Sequence, residues 1–241
     1  MSNRAIILGC SHAMGAEMDK DPDLGLEDGW DKWYFGVRNS YPVLIAKALE
    51  LTPQNHAISG GSNDAMFRIF ESLLPTLSPT DVVIACWTGS QRTEIWNDVA
   101  QQWLPFQSGY NAFHKSKPDE YMLEGLWTPK PVAEEAQYLE YQKYWVAYST
   151  GYVSTRLNKI KNIVALNALA HLHNIQVINI NSFDPVSPGN FKFPEYIKWP
   201  VPVSFCKWAD DLNSPHTENI HYFYPTHKNF ADYVVAGIKN S

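Results

Sequence analysis

Short apolar runs alternating with helical stretches constrain this chain more than any other feature of its 241 residues. Residues 5–10, 82–87 and 175–180 are apolar runs of strand length, each closed by a turn signal, and residues 55–59 form a weaker one. Between them lie helical patterns. Ser40 stands as a cap ahead of Tyr41 and Pro42. Ser62 or Asn63 caps a helix running through Ala65, Met66, Ile69 and Phe70. Residues 151–173 carry a broad apolar stripe through Ile160, Ile163, Val164, Leu166, Leu169, Ala170 and Leu172. Residues 134–148 also read as helical, and residues 226–238 form a closing helix. Residues 201–205 alternate and are predicted as a short fifth strand; residues 19–39 lack a period and read as a loop. Strands that alternate with helices specify a parallel sheet covered on both faces. The predicted fold is therefore α/β, a three-layer α/β/α sandwich around a five-stranded parallel sheet. Residues 1–241 form one domain, with an aromatic-rich insertion at about 98–133 lying over the carboxyl edge of the strands.

In such sheets ligands bind outside the carboxyl ends of the strands, so the residues just past each strand are the candidates. The first strand ends in Gly9-Cys10-Ser11-His12, which exposes a serine at a turn. The second ends in Ser59-Gly60-Gly61-Ser62-Asn63-Asp64, where paired glycines let a backbone approach a ligand and leave N–H groups to hold an oxyanion. After the third strand come Thr88-Gly89-Ser90-Gln91-Arg92-Thr93-Glu94. Ahead of the closing helix, Glu218 precedes His221 by three residues. A carboxylate so placed can hold an imidazole in one tautomer, ready to act as base towards a serine. His216 and His227 are the rival histidines.

Together these segments resemble the SGNH, or GDSL-type, hydrolase superfamily. Its nucleophilic serine lies in a Gly-Asp-Ser motif after strand one, a glycine follows strand two, Gly-x-Asn-Asp follows strand three, and Asp-x-x-His precedes the last helix. Here Gly9-Cys10-Ser11 matches the first motif with Cys for Asp, Gly60-Gly61 the second, and Glu218-x-x-His221 the fourth with Glu for Asp. The order and spacing match over nearly the whole chain, the insertion excepted. The third motif departs: it has no Asn, and alignment puts either Ser90 or Gln91 in its place. The resemblance implies a flavodoxin-like sheet of five parallel strands and a serine esterase working by two-step acyl transfer. In that reading Ser11 is the nucleophile, His221 the base and Glu218 the acid. Ser11 and Gly61 supply N–H groups to the oxyanion, with Ser90 or Gln91 as a further donor. His12, Asn63 and Arg92 are the expected substrate contacts. The expected substrate is a small acetyl-type or glycan ester. Because losing one oxyanion donor costs roughly 10²–10³ in rate, the altered third motif keeps a second reading open, a catalytically degraded binding or structural module.

Composition excludes other classes. Lys and Arg number 19 against 25 Asp and Glu, a net charge of −6, which argues against binding nucleic acid by phosphate neutralisation. Three scattered cysteines, Cys10, Cys86 and Cys206, make neither a disulfide framework nor a zinc site. Asp19, Asp21 and Asp23 imitate the start of a calcium loop, but Leu24 stands where the loop needs glycine. His171 and His173, two apart, do not share a helix face. No metal and no cofactor is expected. No stretch approaches the roughly 20 apolar residues of a membrane helix, and no signal-peptide core opens the chain. A cytoplasmic protein that leaves the cell by lysis or within a particle is the expectation. The aromatic residues, 14% of the chain, concentrate at 26–41 and 103–148. Trp30, Trp33, Tyr34, Trp103, Tyr110, Phe113 and Trp127 are expected there as a lid, a cleft wall or a platform for a sugar ring.

Overall fold

Three of the predicted strands, those at 5–10, 82–87 and 175–180, join one other in a parallel sheet. The computed structural model describes residues 3–25, 30–97, 102–107, 152–183 and 192–240. Strands β1 (Arg4–Leu8), β2 (Thr52–Asn55) and β3 (Val82–Trp87) join a later strand, Gln176–Asn181. Between β3 and that later strand lies an antiparallel hairpin, β4 (Arg92–Asn97) and β5 (Gln102–Gln107). The later strand is therefore β6, and the parallel sheet has the order β2-β1-β3-β6. The pairs β1·β2, β1·β3 and β3·β6 are all parallel, with Ile6 opposite Val83 and Ile84 opposite Ile178.

Strand alternation sorts the core into two layers. Ala5, Ile7, Ile84, Cys86, Ile178 and Ile180 point to one face. They pack there against α3 (Tyr41–Ala48), α6 (Phe205–Asp211) and α7 (Tyr224–Lys239). Ile6, Leu8, Val83, Ala85 and Trp87 point to the other, against α4 (Asn63–Leu73) and α5 (Tyr152–Leu172). A short helix, α1 (Ser11–Met14), follows β1, and α2 spans Trp30–Asn39. The predicted caps form in part. Ser62 Oγ accepts from Ala65 N at 3.0 Å, while Ser40 occupies the cap position of α3 without a side-chain capping bond.

Three expectations fail for physical reasons. The second strand, expected at 55–59, is Thr52–Asn55: Asn55 Oδ1 accepts from Ala57 N and Ile58 O from Gly61 N, which turn the chain away from the ladder. Residues 201–205 are not a strand: Pro200 and Pro202 remove the N–H groups a ladder would need. Phe205 instead opens α6, with Ser204 Oγ accepting from Lys207 N at 3.3 Å. Among the described residues the parallel sheet has four strands, not five. Residues 30–39 are helix, not loop. Trp30, Trp33, Tyr34 and Val37 carry a helical spacing that Asp, Gly and Lys between them obscured. The predicted helix at 134–148 lies outside the described residues, as does the insertion at 98–133 apart from 102–107. Among the described residues no helix is long and apolar enough to cross a membrane.

Candidate active site

β1 and β3 lie side by side while the chain leaves them toward opposite faces, so the sheet has its crevice at their carboxyl ends. β1 stops abruptly there. A Cβ on Gly9 would sit 2.5 Å from Ala13 Cβ and 3.0 Å from Cys86 Cβ, so only glycine lets the chain turn at once into α1. Ser11 becomes the first residue of that helix, buried at 5% exposure. Among the described residues its backbone N–H has no hydrogen-bond partner, as expected for the first amide of a helix. α1 ends at Gly15, whose carbonyl oxygen would be 2.1 Å from a Cβ on Gly36. This backbone contact seats α1 on α2.

Past Gly15 the chain makes a strained turn. Glu17 has φ +58°, a left-handed conformation unfavourable for a side chain of its size. The turn aims the Glu17 carboxylate at His221. His221 Nδ1 lies 2.9 Å from Glu17 Oε2. Thr217 Oγ1 donates to the same oxygen at 2.6 Å, and Asn219 Nδ2 donates to Oε1 at 2.8 Å. Lys20 completes the set with an ion pair to Oε1. His221 is held from its own side by a tight turn. Ile220, φ +60°, donates to Thr217 O at 3.0 Å, and Thr217 N donates to His221 O at 2.9 Å.

Electrostatics follow from this arrangement. Burial pushes the Glu17 carboxyl up, but the hydrogen bonds from Lys20, Thr217, Asn219 and His221 outweigh it and bring the pKa down to about 2. Glu17 is therefore a carboxylate at neutral pH and only accepts, so His221 Nδ1 carries the proton and Nε2 keeps a free lone pair. Burial lowers the His221 pKa below its ordinary value. Glu17 opposes that shift, and the positive charges of Arg92 and Lys20 add to it. A neutral imidazole with a defined tautomer is what a general base requires. No hydrogen bond joins Ser11 Oγ to His221 in this structure; such contacts commonly tighten only around a substrate.

The structure brings together only part of what the sequence nominated. His221 packs against His12, the residue after Ser11, with their ring centroids 5.1 Å apart. Glu218 is exposed and makes no contact with His221; Glu17, 204 residues away in sequence, takes the place predicted for it. The rival histidines have other tasks. His227 Nδ1 accepts from Tyr41 N at 3.1 Å, and burial with the nearby His221 brings its pKa down to about 3. His216 is exposed, with Nδ1 2.7 Å from Thr217 O. His12, expected to touch substrate, is 3% exposed and wedged edge-on against Phe183 and Phe205. Its Nε2 lies 3.6 Å from Cys206 Sγ. It is a wall behind His221 rather than an open contact.

The oxyanion side differs most from expectation. Gly61 N donates to Ile58 O at 2.8 Å, so it closes its own turn instead of facing Ser11. Asn63 is likewise engaged: its Oδ1 accepts from Thr88 N at 3.0 Å and its Nδ2 reaches Thr88 O and Gly89 O at 3.4 Å. Ser90 and Gln91 line a cavity of about 650 Å³ between α4, α5 and β4, which neither Ser11 nor His221 lines. In that cavity Arg68 holds Glu94 with two bonds of 2.7 and 2.9 Å and lies over Trp103. Asp64 receives Thr93 Oγ1 and Asn162 Nδ2. Arg92 lines the same cavity, and its guanidinium also packs 4.9 Å over the Phe183 ring, beside His12. Glu17 and Phe183 are the site residues that sequence reasoning missed, and neither stands in a motif. Of the aromatic platform, residues 110, 113 and 127 lie outside the described residues. Among the described residues no group of three or more His, Cys, Asp or Glu is placed to hold a metal ion.

No protein-family model and no curated protein sequence matches the chain. Solved structures do. The structure of TesA aligns over 99% of this chain and 99% of its own, at 12% identity and a TM-score of 0.51. The psychrotrophic esterase EstA from Pseudoalteromonas sp. aligns over 99% and 97%, at 14% identity and 0.46. Est2A, an acetyl xylan esterase from the rumen bacterium Butyrivibrio proteoclasticus, aligns over 99% and 64%, at 14% identity and 0.46. At such identities the likeness concerns the fold: the chain has an SGNH-hydrolase-like α/β fold.

Proposed function

We propose that this chain is a serine hydrolase of carboxylic esters, acetyl esters foremost, carbohydrate-borne ones included. The observation that carries the reading is the Glu17–His221 pair, 2.9 Å long, whose imidazole packs against His12, the residue after the serine that opens α1. Ser11 Oγ attacks the ester carbonyl carbon while its proton passes to His221 Nε2. His221 then protonates the departing alcohol oxygen, leaving an acyl-serine. Water, deprotonated by the same nitrogen, attacks that ester and releases the carboxylic acid. Glu17 replaces Glu218 as the positioning acid and stabilises the imidazolium that forms. The Ser11 N–H supplies one oxyanion donor.

The same geometry gives the binding-module reading its one specific support, since the Gly61 N–H is engaged within its own turn. A fluorophosphonate probe decides between the two. Labelling of the wild type that Ser11→Ala abolishes, together with loss of 4-nitrophenyl acetate turnover in that variant, is the expected result. An unlabelled wild type, or turnover that survives Ser11→Ala, makes the chain a binding module.

A further inference from the structure

Buried polar side-chain atoms almost always find partners. The described part of this chain has five that do not, and four of them belong to residues at or just past the carboxyl ends of the parallel strands. They are His12 Nδ1 after β1, Thr88 Oγ1 and Arg92 NH1 after β3, and Asn181 Oδ1 at the end of β6. Arg92 NH1 is the costly one. A guanidinium is always charged, and a buried donor on a cation without an acceptor is worse than a neutral orphan. Arg92 is also not loose: its guanidinium carbon sits 4.9 Å from the Phe183 ring centroid, and the Phe183 ring in turn packs 4.9 Å from the His12 ring. The charge reaches the reacting group, because it is among the influences that lower His221.

Other cations near the site are matched. Arg68 is paired with Glu94 and Lys20 with Glu17. Among the described residues Arg92 has no acidic partner. A positive charge fixed on an aromatic face, with a buried N–H aimed at nothing, is a receptor for one negative charge. We infer that Arg92 receives a carboxylate carried by the substrate, so that the site selects esters bearing a single carboxylate close to the scissile bond. A monoanion matches the single charge of Arg92, and a planar carboxylate suits the guanidinium fork. The inference rests on the esterase reading for its catalytic half only; anion binding at Arg92 stands without it.

The test compares matched ester pairs. On the alcohol side the pair is 3-carboxyphenyl acetate and phenyl acetate; on the acyl side it is 4-nitrophenyl hydrogen glutarate and 4-nitrophenyl valerate. The wild type is expected to favour the carboxylate member of one pair by about 10–100-fold in kcat/KM, the worth of a charge-assisted hydrogen bond. The pair that shows the preference tells which half of the ester carries the anion. Arg92→Met removes the preference, and Arg92→Lys, which keeps the charge but not the fork, retains part of it. No preference in the wild type overturns the inference. So does an equal loss on both members of each pair in Arg92→Met, which assigns Arg92 to the oxyanion or to the fold. Should the fluorophosphonate experiment show no esterase, the inference is read by titrating glutarate and 3-hydroxybenzoate into wild type and Arg92→Lys while following backbone amide shifts. Binding to the wild type at least about 10-fold tighter than to the variant upholds it; equal binding, or none, overturns it.

Discussion

The two flanks of Ser11 are built in opposite ways. On the histidine flank polar groups converge on function: Glu17 collects bonds from Thr217, Asn219 and His221, and two left-handed residues, Glu17 and Ile220, hold the geometry. Backbone strain of this kind costs about 1–3 kcal/mol per residue and persists only where surrounding contacts enforce it. On the oxyanion flank the same types of group bond to one another: Gly61 N to Ile58 O, Asn63 to Thr88 and Gly89. The difference teaches that motif positions and motif roles separate. Gly61 was expected to face an oxyanion and Asn63 a substrate, yet here Gly61 closes its own turn and Asn63 ties the start of α4 to the end of β3. The carboxylate bonded to His221 comes from the loop after α1, not from Glu218 beside the histidine.

If the histidine flank is the working one, breaking it has the largest effects. His221→Asn removes the general base and is expected to lower kcat about 10²–10⁴-fold, with near-normal thermal stability, since His221 is a half-buried loop residue. A loss of tenfold or less moves the base elsewhere. Glu17→Gln keeps the shape and removes the charge, and a fall of about 10² in kcat is expected. Its pH profile separates positioning from packing. In the wild type burial already sets His221 below its ordinary pKa, and Glu17 holds it up. Without the carboxylate the folded pKa falls further, so the acid limb of kcat/KM moves to lower pH as the plateau drops. A plateau that drops with an unmoved limb makes Glu17 merely structural.

What could be read from the sequence follows the same division. β3 and α5 were legible because apolar period and length are local properties: residues 82–87 and 151–173 match Val82–Trp87 and Tyr152–Leu172. The places of Ser11 after β1 and of His221 ahead of α7 were legible because they follow from the order of the elements. Glu17 was not. Its role depends on a left-handed turn and on Thr217 and Asn219 arriving from the far end of the chain, and no spacing rule encodes either. Glu218 matched the spacing and nothing else. α2 was hidden because Gly36 and Asp31 interrupt its composition, although Gly36 is the residue that lets α2 touch Gly15. The fifth strand was suggested by alternation alone, without weighing two prolines against the ladder.

The oxyanion flank calls for a different signature, a stability effect larger than the catalytic one. Asn63→Ala strips the Thr88 N–H of its partner in a buried site and is expected to cost about 1–3 kcal/mol, or roughly 2–4 °C in Tm for each kcal/mol in a domain of this size. Its activity, measured well below the new Tm, should change less than that of Glu17→Gln. A fall in kcat as large as Glu17→Gln produces would return Asn63 to the substrate or the oxyanion.

The smallest effect is expected at the acid that the spacing nominated. Glu218 is exposed, in a turn whose bonds run through Thr217, Ile220 and His221 without it. Glu218→Gln should therefore leave stability within about 0.5 kcal/mol and kcat/KM within error across the pH range. The same measurement on Glu17→Gln provides the contrast, because the two substitutions remove the same charge, one bonded to the His221 imidazole and one not. If the variants behave alike, His221 swings between two carboxylates during turnover. If only Glu17→Gln loses rate and shifts the acid limb, the acid of this site lies after α1, and the Glu-x-x-His spacing is a coincidence of the loop before α7.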